Sequence, residues 1–114
     1  MKDDIVYLKH VLRCIARVEE YSAGGREAFF ASSLIQDGVI RNLQTLAESS
    51  KRLSESIKEA YPDVDWTGLV GFRNVLVHDY LGLDLSLVYR AVEHNIPKLK
   101  RACLSALEKR EPST

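Results

Sequence analysis

The chain has 114 residues, enough for one hydrophobic core but not comfortably for two. Hydrophobic residues make up 46% and charged residues 28%, a balance that excludes a disordered chain. Sixteen basic residues meet sixteen acidic ones, so no global positive field exists to coat DNA or RNA, although an enzyme gripping a few phosphates needs none.

Only 6 glycines and 3 prolines are present, too few for an all-β chain that turns every ten residues or so. No apolar run approaches the roughly 18 residues of a membrane span. The opening MKDDIVYLKH lacks the uncharged apolar stretch of a secretion signal. A cytoplasmic protein is therefore expected, with no membrane partner. Cys14 and Cys103 fall on or beside apolar stripes and are read as buried free thiols. His10, His78 and His94 show no metal-ligand spacing with each other or with the cysteines, so neither a metal site nor a cofactor is expected.

In chain order, residues 4 to 21 read as an amphipathic helix with Ile5, Leu8, Leu12, Ile15 and Val18 on one face. Asp3 and Asp4 stand where a cap and the helix dipole favour negative charge. The segment SAGG at 22 to 25 reads as a turn. A second periodic segment, from about 27 to 60, carries Ile35, Val39, Leu43, Leu46, Ser50, Leu53 and Ile57 on one stripe. It is long for a globular helix, and a kink or an overhang past the bundle is expected. Gly38 inside it points to a bend or to close packing. Pro62 ends the segment. A third helix starts at Asp65 as cap and runs from Trp66 to about Asp79, followed by a turn at Leu81, Gly82 and Leu83. Asp84 caps a last helix with Leu85, Val88, Val92, Ile96, Leu99, Cys103 and Ala106 on one face, kinked or split by Pro97. The expected fold is all-α: an antiparallel bundle of four to five helices over residues 1 to 110, one domain, with 111 to 114 as a frayed tail.

Within the third helix lies GFRNVLVHDY, residues 71 to 80, where Arg73, Asn74, His78, Asp79 and Tyr80 interrupt apolar positions. At about 100° per residue, Arg73 and Tyr80 share a face, as do Asn74 and His78, whereas Arg73 and His78 differ by about 140°. One ideal helix therefore cannot aim all four at one point. Either the helix ends near His78, freeing His78 and Tyr80 to swing, or two copies meet across a two-fold axis and share one cleft. Chemistry alone leaves open whether these are satisfied polar residues of an amphipathic helix or a site. On the second helix, Asp37, Arg41 and Glu48 recur at steps of four and seven. They either brace the third helix, line the same cleft, or form a solvated or salt-bridged face. Lys98, Lys100 and Arg101 read as the exposed side of the last helix, and His10 and His94 as surface residues.

Arg73, four residues, His78, one residue and Tyr80 reproduce the Arg-x4-His-x-Tyr pattern of HEPN-domain proteins. IRNLQTLAES, PDVDW and GFRNVLVHDYLGLD also resemble that superfamily in order and spacing, over residues 37 to 92, about half the chain. Within it, the chain most resembles HepT, the toxin of the HEPN/MNT (type VII) toxin–antitoxin systems. Ala47 departs from the glycine that relatives often place before the glutamate, a change of packing more than of chemistry.

The resemblance implies a metal-independent endoribonuclease acting on RNA, with a composite site at a homodimer interface and the motif helix near it. Arg73 and His78 would be catalytic, with Asn74 and Asp79 supporting or binding substrate, and Asp37, Arg41 and Glu48 as possible cleft lining. It further implies an MNT-type nucleotidyltransferase antitoxin as partner, which attaches AMP to Tyr80. DNA is not expected as a substrate. The competing reading is a non-catalytic helical dimer that binds nucleotide or phosphate, or regulates the nucleotidyltransferase. A purely structural bundle would have to satisfy the motif's polar groups internally.

Overall fold

The first helix forms because an apolar face recurs at helical spacing behind an acidic first turn. The computed structural model of the chain describes residues 2–111, without the side chains of Lys2 and Tyr80. From residue 112 onward, the expected tail lies outside the described residues. All regular elements among the described residues are helical: α1 (Lys2–Tyr21), α2 (Gly25–Ala31), α3 (Ser33–Lys51), α4 (Glu55–Ala60), α5 (Trp66–His78), a single 3-10 turn (Tyr80–Gly82), α6 (Leu85–Arg90), a π turn (Ala91–Asn95) and α7 (Ile96–Arg110).

α1 is the central helix. On one side it runs antiparallel to α3: Asp4 meets Ser54 just past the end of α3, and His10 meets Ser49. At the other end of α1, the ring of Tyr21 lies over Gly38. On its other side it runs antiparallel to α7, with ion pairs Lys100–Glu19 at 2.9 Å and Lys9–Glu111 at 3.0 Å. Leu8, Ile15 and Val18 of the expected stripe are fully buried, as are Val39, Leu43 and Leu46 of α3 and Leu99 and Cys103 of α7. The Gly38 position is a close approach: a Cβ there would come within 2.9 Å of the Tyr21 ring. Both cysteines are buried and free, and burial pushes the Cys103 thiol up to about 12.

The turn after α1 needs Gly25, whose φ of +89° lies in the left-handed region that only glycine adopts without strain. The expected segment 27 to 60 is not one helix, although its stripe is continuous. It breaks at Ser32, whose extended backbone lets the hydroxyl accept the amide of Ile35 at 3.2 Å as an N-cap. Gln36 reaches back from α3 to the carbonyls of Phe29 and Phe30, at 3.0 and 3.3 Å. A second break at 52–54 is held from outside, because the buried Asp4 carboxylate accepts both the amide (2.9 Å) and the hydroxyl (2.7 Å) of Ser54. Asp4 thus anchors a distant chain segment as well as favouring its own helix start.

Asp65 caps α5 through the amide of Gly68 (2.9 Å), and Asp84 caps α6 through the amide of Ser86 (2.9 Å), both as expected. Pro97 has no N–H to continue the ladder, and the strain is taken up one turn earlier. There the amide of Ile96 donates five residues back to Ala91, forming the π turn. No helix among the described residues is long and apolar enough to cross a membrane.

Candidate functional site

α5 and α3 lie side by side and antiparallel, which decides where the motif residues point. Glu48 of α3 meets Arg73 of α5; one turn back on α3, Gln44 donates to the carbonyl of Leu76 at 3.2 Å. Leu76 is the single fully buried residue of α5, while Trp66, Leu69 and Phe72 pack half-buried against the core. The rest of the helix stays open to solvent and carries Val75 and Val77 as well as Asn74 and His78.

Arg73 is half-buried and directs Nη2 (3.2 Å) and Nε (3.4 Å) onto one oxygen of Glu48, while Nη1 donates to the side chain of Asn74 at 3.2 Å. Glu48 is 52% exposed and Arg73 32% exposed. A pair so open to water contributes about 0–1 kcal/mol, so phosphate oxygens can compete for the guanidinium. Of the three α3 residues singled out in the sequence, Glu48 is the one that meets Arg73, through an exposed ion pair. Asp37 and Arg41 stand exposed, respectively three and two turns earlier on α3.

His78 is the last residue of α5, so the helix ends where the angular argument needed an end. The amide of Asp79 still bonds the carbonyl of Val75 at 2.9 Å, and that of Gly82 bonds Asp79 at 3.1 Å, turning the chain sharply away. His78, Asn74 and Asp79 are exposed, and the imidazole makes no hydrogen bond to another described residue. A side chain at the open end of a helix can accept or donate a proton on either ring nitrogen. The Tyr80 side chain lies outside the described residues. Within one chain, Arg73, Asn74 and Glu48 come together, whereas His78 stands at the far end of the helix with no bond to Arg73.

Two hollows flank α5. One, of about 420 Å³, is lined by Ala47, Glu48, Lys51, Arg52, Val70, Arg73 and Asn74. The other, of about 430 Å³, is mostly apolar, with Leu43, Leu69, Phe72 and Leu99 inside and Arg90 and Lys98 among its edge residues. Lys51 and Arg52 were not singled out in the sequence, yet the signal was present: a basic doublet three and four residues past Glu48, one helical turn away. Lys98 and Arg101 are exposed as expected, whereas Lys100 is half-buried beside α1 and paired with Glu19.

The surface reading of His94 agrees with the structure, but that of His10 does not. His10 is half-buried between α1 and α3. Its Nδ1 shares a 2.5 Å hydrogen bond with Ser49, and its Nε2 faces Cys14 Sγ at 3.7 Å. Cys14 in turn meets Thr45 at 3.3 Å. Cys14 is one helical turn from His10, but Ser49 and Thr45 lie 39 and 31 residues from the side chains they meet, out of reach of any local pattern.

A family description, Ribonuclease HepT-like, matches residues 11–106. The chain is 30% identical to the "Probable ribonuclease HepT" of Thermococcus cleftensis, over 82% of this chain and 86% of that one. It is 26% identical to the "mRNA nuclease HepT" of Shewanella oneidensis, over 75% of this chain and 82% of that one. It is also 37% identical, over 94% of its own length, to a Methanocaldococcus jannaschii protein named "Gamma-glutamylcyclotransferase and putative RNase", of which it spans about half (49%). No solved structure matches the chain. With its helical bundle and its motif helix, the chain belongs to the HepT-like ribonuclease family.

Proposed function

We propose that the chain is the toxin of a type VII toxin–antitoxin pair, acting in the cytoplasm as an endoribonuclease that needs no metal. The observation that carries this reading is the arrangement of α5. Arg73 is held by an exposed carboxylate and by Asn74 of its own helix, and His78 stands at the open end of the same helix with no hydrogen bond to another described residue.

The reaction is transfer of the scissile phosphate to its neighbouring 2′-hydroxyl. A neutral His78 takes the 2′-proton as the 2′-oxygen bonds to phosphorus. The bond from phosphorus to the 5′-oxygen breaks, and a protonated His78 of the partner subunit supplies the proton that the leaving oxygen needs. Arg73, released from Glu48, holds the non-bridging oxygens bidentately and offsets the charge that grows on them. Asn74, already bonded to Arg73, keeps the guanidinium turned toward the cleft. The product carries a 2′,3′-cyclic phosphate. Since His78 and Arg73 point from different parts of α5, the proposal requires a homodimer in which one chain's Arg73 and the other's His78 share the cleft. Residues 1 to 110 act in it as one HEPN-like domain. Asp79, Asp37 and Arg41 are assigned to the edge of that cleft.

Control is assigned to Tyr80. An MNT-type nucleotidyltransferase transfers AMP from ATP to its phenolic oxygen as pyrophosphate leaves the α-phosphorus, and the added phosphate neutralises Arg73. Mass spectrometry after co-expression with that partner reads one or more AMP increments on the Tyr80 peptide; an unmodified peptide ends this part of the proposal.

The test of the chemistry is cleavage of RNA in the presence of EDTA by the parent, His78→Ala and Arg73→Ala. Loss of a general acid–base group lowers the rate by about 10²–10⁴-fold. Parent-like rates in both variants would sink the proposal, and binding without cleavage by the parent would leave the non-catalytic dimer in its place.

A further inference from the structure

We infer that the hollow at the C-terminal end of α3 is a second phosphate site, which holds the RNA strand one step along from the scissile phosphate through Lys51 and Arg52. The inference rests on the ribonuclease reading of Arg73, and adds to it the direction in which the substrate runs and a minimum substrate length.

Charge is the first argument. The chain as a whole is neutral, with sixteen residues of each sign. The hollow of about 420 Å³ is not: its lining contains Lys51, Arg52 and Arg73 against a single acid, Glu48. Whichever of them Glu48 faces, an excess of two cations remains, and among the described residues neither Lys51 nor Arg52 has a carboxylate partner. Last-turn cations do complement a helix dipole, which accounts for Lys51 on α3 taken alone. It does not account for three cations from two helices around one concavity.

Continuity is the second. Arg73 and Asn74 form one wall of this hollow, so a strand gripped at Arg73 enters it without crossing a ridge. Val70 and Ala47 contribute small apolar surface between the cations, where a ribose can lie. The Arg52 guanidinium is already steadied over the Tyr7 ring, 5.9 Å from its centroid. Lys58, ion-paired with Glu55 at 3.7 Å, donates to the carbonyl of Lys51 at 3.1 Å and holds α4 against this end of α3. Positive charge thus continues from the motif arginine to Lys51 and Arg52, away from His78. A substrate with only the scissile phosphate leaves this site empty, whereas one with a second phosphate on the Arg73 side fills it.

The experiment measures binding of a ten-residue uridine strand, in a His78→Ala background that prevents turnover, as a function of salt. Each neutralised phosphate of a single strand contributes about 0.7 to the slope of log K against log salt, so Lys51→Ala/Arg52→Ala, which empties one phosphate site, lowers the slope by about 0.7. The affinity at low salt falls by about tenfold or more. Lys51→Arg/Arg52→Lys keeps the parent slope, and Arg13→Ala/Arg17→Ala, a pair of exposed cations on α1, leaves it unmoved. Thermal melting checks that each variant is folded. An unchanged slope in the folded Lys51/Arg52 alanine pair overturns the inference, even if His78→Ala abolishes cleavage and so upholds the ribonuclease reading. A reduced slope with no cleavage by the parent removes the ribonuclease reading and keeps a two-phosphate RNA clamp.

Discussion

α3 and α5 lie side by side, yet they use their sequences in opposite ways. α3 is a mixture of polar and apolar residues, and it buries eight of them, among them Asn42, Ser49 and Ser50. α5 is the more apolar of the two and buries only Leu76. Val75 and Val77 are 42% and 38% exposed, and Leu81 just beyond the helix is completely exposed. The difference comes from position. α3 sits between α1 and α5 and meets a helix on both sides, so even its hydroxyls find internal partners. α5 is an outer layer, with one side on the core and the other open. Burial on α3 makes the fold, and exposure on α5 leaves the motif residues open to solvent.

The comparison predicts that removing a side chain from each helix damages different things. His78→Ala carries the largest expected effect, about 3–5 kcal/mol on the cleavage barrier from a loss of 10²–10⁴-fold. Its melting temperature stays close to the parent's, because an exposed side chain in the last turn, with no hydrogen bond to another described residue, contributes within about 0.5 kcal/mol. Leu46→Ala, on the fully buried side of α3, does the reverse. It costs about 2–5 kcal/mol of stability in denaturant unfolding, while the folded fraction keeps its cleavage rate. A Leu46→Ala protein that melts normally but cuts slowly would break the division of labour between the two helices.

The far end of α3 offers a smaller and pH-dependent test. Burial of Asp4 tends to raise its pKa, but the hydrogen bonds from the Ser54 hydroxyl and amide, helped by Arg110, outweigh it and leave the group below its ordinary 3.8. A carboxyl lowered by folding stabilises the fold above its unfolded value and ceases to do so as pH falls through the folded value. The anchor is therefore whole at neutral pH and is lost below about pH 3.8. Asp4→Ala leaves the Ser54 amide without its acceptor and lowers stability at pH 7 by about 1–3 kcal/mol. It also flattens the decline of stability on acidification, measured by unfolding at pH 7, 5 and 3.

The same contrast explains what was legible in the sequence. α5 was legible because its signals are local: Asp65 three residues before the amide it caps, the end near His78, and Asp84 ahead of α6. The breaks in the 27–60 segment were not, because the apolar stripe passes through both of them. Leu53 within the second break and Ile57 beyond it are buried just as Leu46 is before it. One break depends on a hydroxyl choosing to cap, and the other on Asp4, 50 residues distant. His10 was misread for the same reason, since Ser49 lies 39 residues away. At the site, the motif's spacing showed that Arg73 and His78 could not converge on one helix. The resemblance, not the spacing, supplied a reaction. Lys51 and Arg52 gained meaning only when α5 was laid beside them.

The smallest effect on the fold, and the sharpest on the comparison, is expected at Val75 and Val77. Singly exposed valines are ordinary, but these two alternate with Asn74, Leu76 and His78 in the last turn of a helix that ends beside exposed Leu81. If the open side of α5 is where a second copy lies, replacing both valines by serine removes apolar area from that contact and little from the core. Each valine buries at most part of its side chain in the single chain, so unfolding at low concentration moves by less than about 1 kcal/mol. Sedimentation at micromolar concentration then reads a shift from dimer to monomer. Cleavage falls with the dimer and returns as protein concentration is raised, because a shared site is restored by mass action. A Val75→Ser/Val77→Ser protein that stays dimeric and fully active would place the partner elsewhere, and Arg73 and His78 would then have to meet by some route other than the open side of α5.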